Sequence, residues 1–238
     1  MMQTPTPSRS DGERRRGFTL IELITIVAII GVLAALTFPA VQSIRVSAAR
    51  KKARAELHRV QTAIDAYKAH HGFYPPDNPI PANPPLVNAV TNPLFFELVG
   101  VELVAPGQYR SLDGRALVYT NDLPAIFGSG VRGFANQTRG SGDEAHPAVN
   151  FFGKSGLPLS QIATYRVGNS DVAILVCSIP WPEEYGTLIA GHPRLNPWRY
   201  NSSHPTNNPG SYDLWVDLVL AGKTNRISNW SDQPQIIR

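Results

Sequence analysis

A lone carboxylate, that of Glu22, lies within the long apolar stretch near the N-terminus of this 238-residue chain. Phe18 stands four residues before it and directly follows Gly17. Cleavage between Gly17 and Phe18 would leave a cationic α-amine on Phe18, about one helical turn from the Glu22 carboxylate. This amine could pair with Glu22 of the same helix, where the helix dipole also favours an acid, or with Glu22 of a neighbouring copy. The spacing therefore predicts charge pairing as the chemistry of this segment.

The Phe18 amine and the Glu22 carboxylate belong to the apolar segment 18–41. The length and apolar composition of this segment predict a membrane-spanning helix. As a helix, its 24 residues would extend about 36 Å, more than the hydrocarbon core of about 30 Å. A general secretory signal would have a shorter apolar region of about 7–15 residues. A plain membrane anchor would explain the length but not Glu22, because a carboxylate at that depth costs about 2.5–3.5 kcal/mol. The polar residues 1–17 are interpreted as a leader that is removed.

The helix is predicted to continue through residues 42–72. Apolar residues recur there at intervals of three and four, which indicates one buried stripe. Gly72 and the prolines after it predict where the helix ends. The stripe consists of Val46, Ala49, Ala53, Leu57, Val60, Ile64 and Tyr67. The opposite face is basic and is interpreted as solvated, although its first few charges could contact lipid headgroups. Its residues are Arg45, Arg50, Lys51, Lys52, Arg54 and Arg59.

Residues 73–238 are predicted to form one globular body of loops and short strands. The chain has 21 prolines, many of them between residues 75 and 106, and these oppose long helices. Alternating apolar patterns at 171–177 and 211–216 are typical of strands. Cys177 is the one cysteine, which excludes an intrachain disulfide. The net charge is +4, and none of the basic tracts implies nucleic acid, so no nucleic-acid partner is expected.

Two glycine motifs resemble nucleotide-binding loops but lack the required context. Residues 128–133 (GSGVRG) fit GxGxxG, yet the residues after them do not predict a helix whose N-terminus could hold a pyrophosphate. Residues 153–155 (GKS) lack the glycine that should stand five positions upstream, where the chain has Ala148. The six histidines show no metal-ligand spacing. We therefore expect no enzymatic activity.

The segment at residues 17–22 (GFTLIE), followed by an apolar helix that contains Pro39, resembles the N-terminal signature of type IV pilins and type II secretion pseudopilins. The resemblance implies cleavage between Gly17 and Phe18 by a prepilin peptidase and N-methylation of Phe18. It also implies that Glu22 pairs with the terminus of a neighbouring subunit during assembly. Pro39 matches a position where helices of the family lose regularity, since proline lacks an N–H and clashes with the preceding turn. Gly31 would make the helix backbone locally more flexible.

A second resemblance narrows the class to the major pseudopilin of type II secretion. It is carried by residues 59–75 and by three C-terminal segments, 196–200, 208–215 and 227–230. It implies an α+β, pilin-like fold, in which the second half of the long N-terminal helix packs on a small antiparallel β-sheet. Residues 80–195 depart from the pattern and are expected to be an inserted, loop-rich region with extra strands.

Major pseudopilins typically hold calcium in the loop that follows the segment resembling residues 211–216. Calcium takes about six to eight oxygen ligands. In residues 216–230, Asp217 is the one carboxylate, and Lys223 and Arg226 lie nearby. The set of calcium ligands is therefore largely missing. No cofactor is expected, and Asp217 is only a weak candidate for binding calcium. The alternative is a shortened hairpin in which Asp217 is an ordinary polar residue.

The resemblance implies a structural subunit of a type II secretion pseudopilus, anchored once in the bacterial inner membrane with its C-terminal domain in the periplasm. The implied partners are further copies, minor pseudopilins, the prepilin peptidase, the inner-membrane assembly platform with its ATPase, and membrane lipid. A type IV pilin or minor pseudopilin for adhesion, motility or DNA uptake is the alternative within this class. A membrane-anchored enzyme or ligand-binding domain that uses the signal for export is the alternative from another class.

Overall fold

The computed structural model describes residues 17–80, 86–140 and 146–237, except for the side chains of 36–40, 80 and 86. The predicted leader, up to residue 16, thus lies outside the described residues. The described residues fall into two compact units, which are divided between residue 45 and residue 46. The first contains the start of the N-terminal helix, and the second contains the rest of that helix together with the β-sheets.

The N-terminal helix, α1 (Leu20–His71), contributes to both units. In the first unit, the side chains of residues 18–33 are exposed. Except at a few polar positions, α1 presents apolar side chains on all of its faces there. Large apolar side chains such as Ile21 and Val27 are 70% and 63% exposed. Over the part of the chain that is described, no helix is both long enough and apolar enough to cross a membrane.

In the second unit, α1 buries the predicted apolar stripe. Ala53, Leu57, Val60, Ile64 and Tyr67 are each at most 2% exposed and belong to the central hydrophobic cluster. Val46 and Ala49, at the start of the stripe, are only half-buried. The helix ends where the sequence predicts: Gly72 adopts a φ of 84°, and its N–H donates to the carbonyl of Lys68 at 2.8 Å.

The region from residue 80 to residue 195, expected to be an insertion of loops and extra strands, does contain extra strands. Among the described residues from 79 to 175 there are a short ribbon, two short α-helices and a five-stranded antiparallel sheet with the order β3-β4-β5-β7-β6. The ribbon is β1 (Pro79–Ile80) with β2 (Leu86–Val87), and the helices are α2 (Leu94–Val99) and α3 (Leu123–Phe127). The sheet strands are β3 (Val101–Ala105), β4 (Gln108–Ser111), β5 (Leu117–Tyr119), β6 (Ile162–Val167) and β7 (Ser170–Leu175).

The C-terminal sheet has four antiparallel strands in the order β11-β10-β9-β8. Alternate residues of its longest strand, Leu214, Val216 and Leu218, are fully buried in the cluster that also contains the stripe of α1. The strands are β8 (Arg199–Asn201), β9 (Asp213–Leu220), β10 (Lys223–Ser228) and β11 (Ser231–Ile236). A long helix packed with antiparallel sheet confirms the predicted α+β, pilin-like arrangement.

Candidate assembly site

The first turn of α1 is capped by two side chains that bind each other's backbone. The N–H and the hydroxyl of Thr19 donate to Oε2 of Glu22 at 2.9 Å and 2.8 Å. In return, the N–H of Glu22 donates to Oγ1 of Thr19 at 3.3 Å. This is a capping box, in which a Ser or Thr at the N-cap and a Glu three residues later satisfy N–H groups that the helix itself leaves without partners.

The capping box leaves Glu22 accessible to a second chain. Glu22 and Phe18 are both exposed, and the exposed fraction of Phe18 is 78%. Both bonds from Thr19 end on Oε2, so they leave Oε1 free to accept from an amine of another subunit. The predicted cleavage site, Gly17–Phe18, is likewise exposed and precedes the first helical residue.

Gly31 and Pro39, which are predicted to reduce the regularity of the helix, lie inside α1. The helix runs without interruption through Gly31 and Pro39, from Leu20 to His71. A Cβ added at Gly31 would meet nothing within 4 Å, so packing within the chain does not require a glycine there. The side chain of Pro39 lies outside the described residues. Loss of helical regularity at these positions in a filament stays a prediction.

Asp217, the calcium candidate, is engaged by an arginine. It lies in β9 directly opposite Arg226 of β10, whose Nε and Nη2 donate to its Oδ1 and Oδ2 at 2.8 Å and 3.0 Å. The strands are joined by a two-residue turn in which Ala221 and Gly222 have φ values of 52° and 72°, as a type I′ hairpin requires. Within the described ranges, no three His, Cys, Asp or Glu side chains come together in a group that could hold a metal ion.

Two arginines of α1 bind the C-terminal sheet, a role that the sequence did not indicate. Arg54 donates through Nη1 to the carbonyl of Ser228 at 2.7 Å, and through Nη2 to the carbonyls of Ser231 and Asp232 at 2.8 Å and 2.9 Å. Arg50 donates through Nε and Nη2 to Oδ1 of Asn225 at 3.1 Å and 2.6 Å. The interpretation of the whole basic face as solvated is therefore wrong for Arg50 and Arg54. Lys51, Lys52 and Arg59 are exposed.

A buried carboxylate joins α1 to α2. Glu97 of α2 is 1% exposed and accepts from the hydroxyl of Tyr67 on α1 at 2.9 Å. The backbone N–H groups of Ala135 and Asn136 also donate to it, at 2.8 Å and 3.0 Å. Burial raises the pKa of Glu97, because it disfavours the charged carboxylate, while these three donors act in the opposite direction. Glu97 stands within an apolar run, LFFELV, and a carboxylate in such a run is a sequence signal for a buried acid that has hydrogen-bond partners.

The glycine motifs do not build a phosphate site. Residues 128–133 follow α3 rather than open a helix, since α3 ends at Phe127 and Gly128 stands at its C-cap. Residues 153–155 lie in turns, with the N–H of Gly156 donating to the carbonyl of Gly153 at 3.2 Å. Neither segment places a helix N-terminus where a phosphate would need it.

The N-terminal segment of the chain matches a known family model. Residues 13–38 match the family described as the prokaryotic N-terminal methylation motif. That range includes the predicted cleavage site, the capping box and most of the apolar segment. No solved structure matches the chain.

The chain is also similar to proteins of type II secretion systems and of type IV pili. It is 29% identical over 115 residues to the type II secretion system core protein G of Escherichia coli, covering 42% of this chain and 79% of that protein. It is 39% identical over 64 residues to the core protein G of Pectobacterium carotovorum, covering 27% of this chain and 41% of that protein. It is 38% identical over 65 residues to the type IV major pilin protein PilE1 of Neisseria gonorrhoeae, covering 27% of this chain and 30% of that protein.

The resemblance stated from the sequence is therefore confirmed. The chain carries a prepilin-type methylation motif, and its relatives include both major pseudopilins and type IV pilins. These matches leave more than half of the chain uncovered, and the chain spans less than half the length of the Pectobacterium and Neisseria proteins.

Proposed function

We propose that this protein is a structural subunit of a type II secretion pseudopilus. The observation that carries the proposal is the exposed segment from Gly17 to Glu22 at the start of a helix that presents apolar side chains on nearly all sides. A helix that is apolar all round needs apolar surroundings, which lipid supplies before assembly and neighbouring helices supply afterwards. Residues 18–41 would therefore occupy the inner membrane first and the filament core later.

The mechanism is polymerisation after processing. A prepilin peptidase would cleave between Gly17 and Phe18 and methylate the new α-amine of Phe18, which then stands at the start of α1. In the filament, this amine would pair with Glu22 of a neighbouring subunit and set the axial stagger between the two copies. The partners would be further copies, minor pseudopilins, and the inner-membrane platform whose ATPase drives assembly. The chain itself would supply no catalytic group.

The capping box adds a detail to this mechanism. Thr19 holds the Glu22 carboxylate through Oε2 against the first turn of α1 and thereby reduces its rotational freedom. A carboxylate that is already oriented loses less entropy when it binds the amine of an incoming subunit. Thr19 is thus proposed to position the charge that fixes the register.

The folded body would be carried along by α1. Its second half buries an apolar stripe, and polar contacts from Arg50, Arg54 and Tyr67 reach the C-terminal sheet and α2. These contacts would keep the body attached to α1 while subunits are added at the base of the filament. The body would face the periplasm and contact secreted proteins or minor subunits there.

Deleting the gene in its own host separates this proposal from its alternatives. Loss of protein secretion into the medium, with surface pili and motility retained, is expected for a pseudopilus subunit. Loss of pili or DNA uptake with intact secretion would favour the type IV pilin alternative. In the parental strain, a processed protein that is exported but never polymerises would favour a membrane-anchored enzyme or ligand-binding domain. N-terminal sequencing of the protein from the parental strain should show Phe18 as the first residue under each of these hypotheses.

A further inference from the structure

An open groove lies beside α1 in the second unit. It has a volume of about 620 Å³ and is bounded by residues 55–63 of α1 on one side and by residues 151–158 on the other. Phe151 and Phe152 are half-buried and line the groove. Pockets that bind ligands usually have volumes of about 300–1,000 Å³. The groove is therefore large enough to take up side chains of a partner.

The groove carries a positive charge on Arg59. This side chain lines the groove and is exposed, and its Nη1 donates to Oε1 of Gln161 at 3.3 Å. Gln161 is a neutral amide, and in the described part of the chain no carboxylate forms an ion pair with Arg59. A guanidinium has five N–H donors in a planar fork that fits a carboxylate. Arg59 thus keeps its charge and most of its donors available for an acidic partner.

The same chain carries a turn whose chemistry complements the groove. Glu183–Tyr185 form one exposed turn of 3-10 helix, and the Tyr185 side chain is 46% exposed. Glu183 lies 3.9 Å from Arg194, with both side chains largely exposed, and Glu184 forms no ion pair within the described ranges. The turn therefore presents an aromatic ring directly after a carboxylate whose charge is not compensated.

We propose that the turn Glu183–Tyr185 of one copy docks into the groove of a neighbouring copy. Tyr185 packs there against the two phenylalanine rings, and Glu184 pairs with Arg59. Tyrosine and arginine are among the residues that most often dominate binding energy at interfaces, and opposite charges determine which surfaces meet.

The inference rests on the proposed function, because a filament grows through contacts between two different surfaces of each subunit. Each copy carries one groove and one turn. A contact between them is head-to-tail, so the last copy always presents one unfilled surface and the chain of copies can continue. A second copy is therefore the occupant that suits both surfaces.

Cross-linking of full-length chains in a deletion strain of the host tests the contact. Thr62→Cys places a thiol in the groove, and Thr187→Cys places one just after the turn, where the chain is exposed. We expect a short bismaleimide to give dimers when the two variants are expressed together, and not when either is expressed alone. Arg110→Cys, at an exposed position of β4, replaces Thr187→Cys in the control and should give no such dimers. The native Cys177 is buried and can stay in place.

Charge reversal in the same cross-linking pair tests the pairing of Arg59 with Glu184. Arg59→Glu and Glu184→Arg each bring like charges together, and each should lower the dimer yield about fivefold. The two reversals combined restore opposite charges and should restore most of the yield. Lys52→Glu is the matched control, because Lys52 is exposed on the same helix but does not line the groove, and it should cross-link like the parent pair. Equal losses in the control, or no recovery in the combined variant, would overturn the pairing.

The filament yield of the wild-type chain in the same strain reports on the proposed function separately. Filaments without cross-linked dimers would overturn the inference alone and assign the groove to another partner, such as a minor subunit or a secreted protein. Cross-linked dimers without wild-type filaments would support the contact and contradict the proposed function. Absence of both would contradict both.

Discussion

Thr19 and Glu22 cap the first turn of α1 reciprocally, with both donor groups of Thr19 on Oε2 of Glu22 and the N–H of Glu22 on Oγ1 of Thr19. One carboxylate thus has a structural role within its own helix and a proposed pairing role between subunits. Replacing Glu22 by alanine would remove both roles at once. Variants that separate the cap from the charge are therefore needed to test the proposal.

Thr19→Ala removes the cap and keeps the charge of Glu22. Loss of an N-cap hydroxyl destabilises a helix start by about 0.5–2 kcal/mol. We expect amide hydrogen exchange in the first turn of α1 to accelerate by about 2- to 30-fold, while filaments still form. Thr19→Ser, which keeps the hydroxyl, is the control and should exchange like the wild type. Unchanged exchange in Thr19→Ala would show that the cap does not stabilise this turn.

Arg54→Lys tests the attachment of the C-terminal sheet to α1. Lysine keeps the charge but cannot reach three backbone carbonyls with one planar fork. We expect the free energy of unfolding to fall by about 1–3 kcal/mol, measured by chemical denaturation in detergent. Lys52→Ala changes an exposed residue of the same helix and should stay within about 0.5 kcal/mol of the wild type. A loss no greater than that of the control would contradict a stabilising role for Arg54.

Glu97 should make stability depend on pH in a defined direction. Because burial raises its pKa in the folded state, folding takes up a proton between the ordinary pKa of about 4.5 and the higher folded value. The stabilisation from this proton is fully present below the ordinary pKa and is lost as the pH rises through the folded value. Glu97→Gln cannot titrate, so we expect its stability to decline less than that of the wild type over this range.

Chemical denaturation of both chains at a series of pH values measures the effect. Glu102→Gln removes a carboxylate whose side chain is 40% exposed and is the matched control for loss of one negative charge. Parallel curves of stability against pH for the wild type and Glu97→Gln would refute the assigned role of Glu97.

Calcium should leave the stability of the protein unchanged. Both oxygens of Asp217 accept from Arg226, so a cation would have to displace a guanidinium before it could bind. One carboxylate would also supply only part of the six to eight or so oxygen ligands that calcium takes. We therefore expect the same Tm in calcium, in magnesium and in a chelator. A saturable rise with calcium alone would establish a site that this arrangement does not explain.

The sequence predicted the elements whose signals are local. The buried stripe from Ala53 to Tyr67 and the helix end at Gly72 follow from periodicity and from a glycine that can adopt positive φ. The spacing of Thr19 and Glu22 also fits a capping box, although the sequence analysis predicted only the α-amine of Phe18 as a partner of Glu22. The apolar pattern at 171–177 predicted a strand, and the structure has β7 at Ser170–Leu175.

Contacts between distant parts of the chain could not be predicted in this way. Arg54 and Lys52 stand in the same run of basic residues, and the sequence does not distinguish their roles. In the structure, Arg54 binds three backbone carbonyls more than 170 positions later, whereas Lys52 is exposed. The pairing of Asp217 with Arg226 depends on the strand register, which a two-residue turn fixes. Arg199, Trp215 and Ser228 likewise become neighbours only once three strands are aligned.

The charge of Glu22 is the most direct test of the proposed assembly. Glu22→Gln keeps an oxygen that can accept from Thr19, as glutamine does in capping boxes, but removes the negative charge. It should be expressed together with the prepilin peptidase and the assembly platform, beside Thr19→Ala, and the sheared filament fraction should be quantified. Leaving one charge of a buried pair without its partner costs about 3 kcal/mol or more, so filament yield should fall about 100-fold.

We expect Glu22→Gln to be cleaved after Gly17 and methylated on Phe18 but to form about 100-fold fewer filaments than the wild type, whereas Thr19→Ala should be processed and should polymerise. Filaments of Glu22→Gln at wild-type yield, after confirmed cleavage, would contradict pairing between Glu22 and the neighbouring Phe18 amine as the basis of assembly.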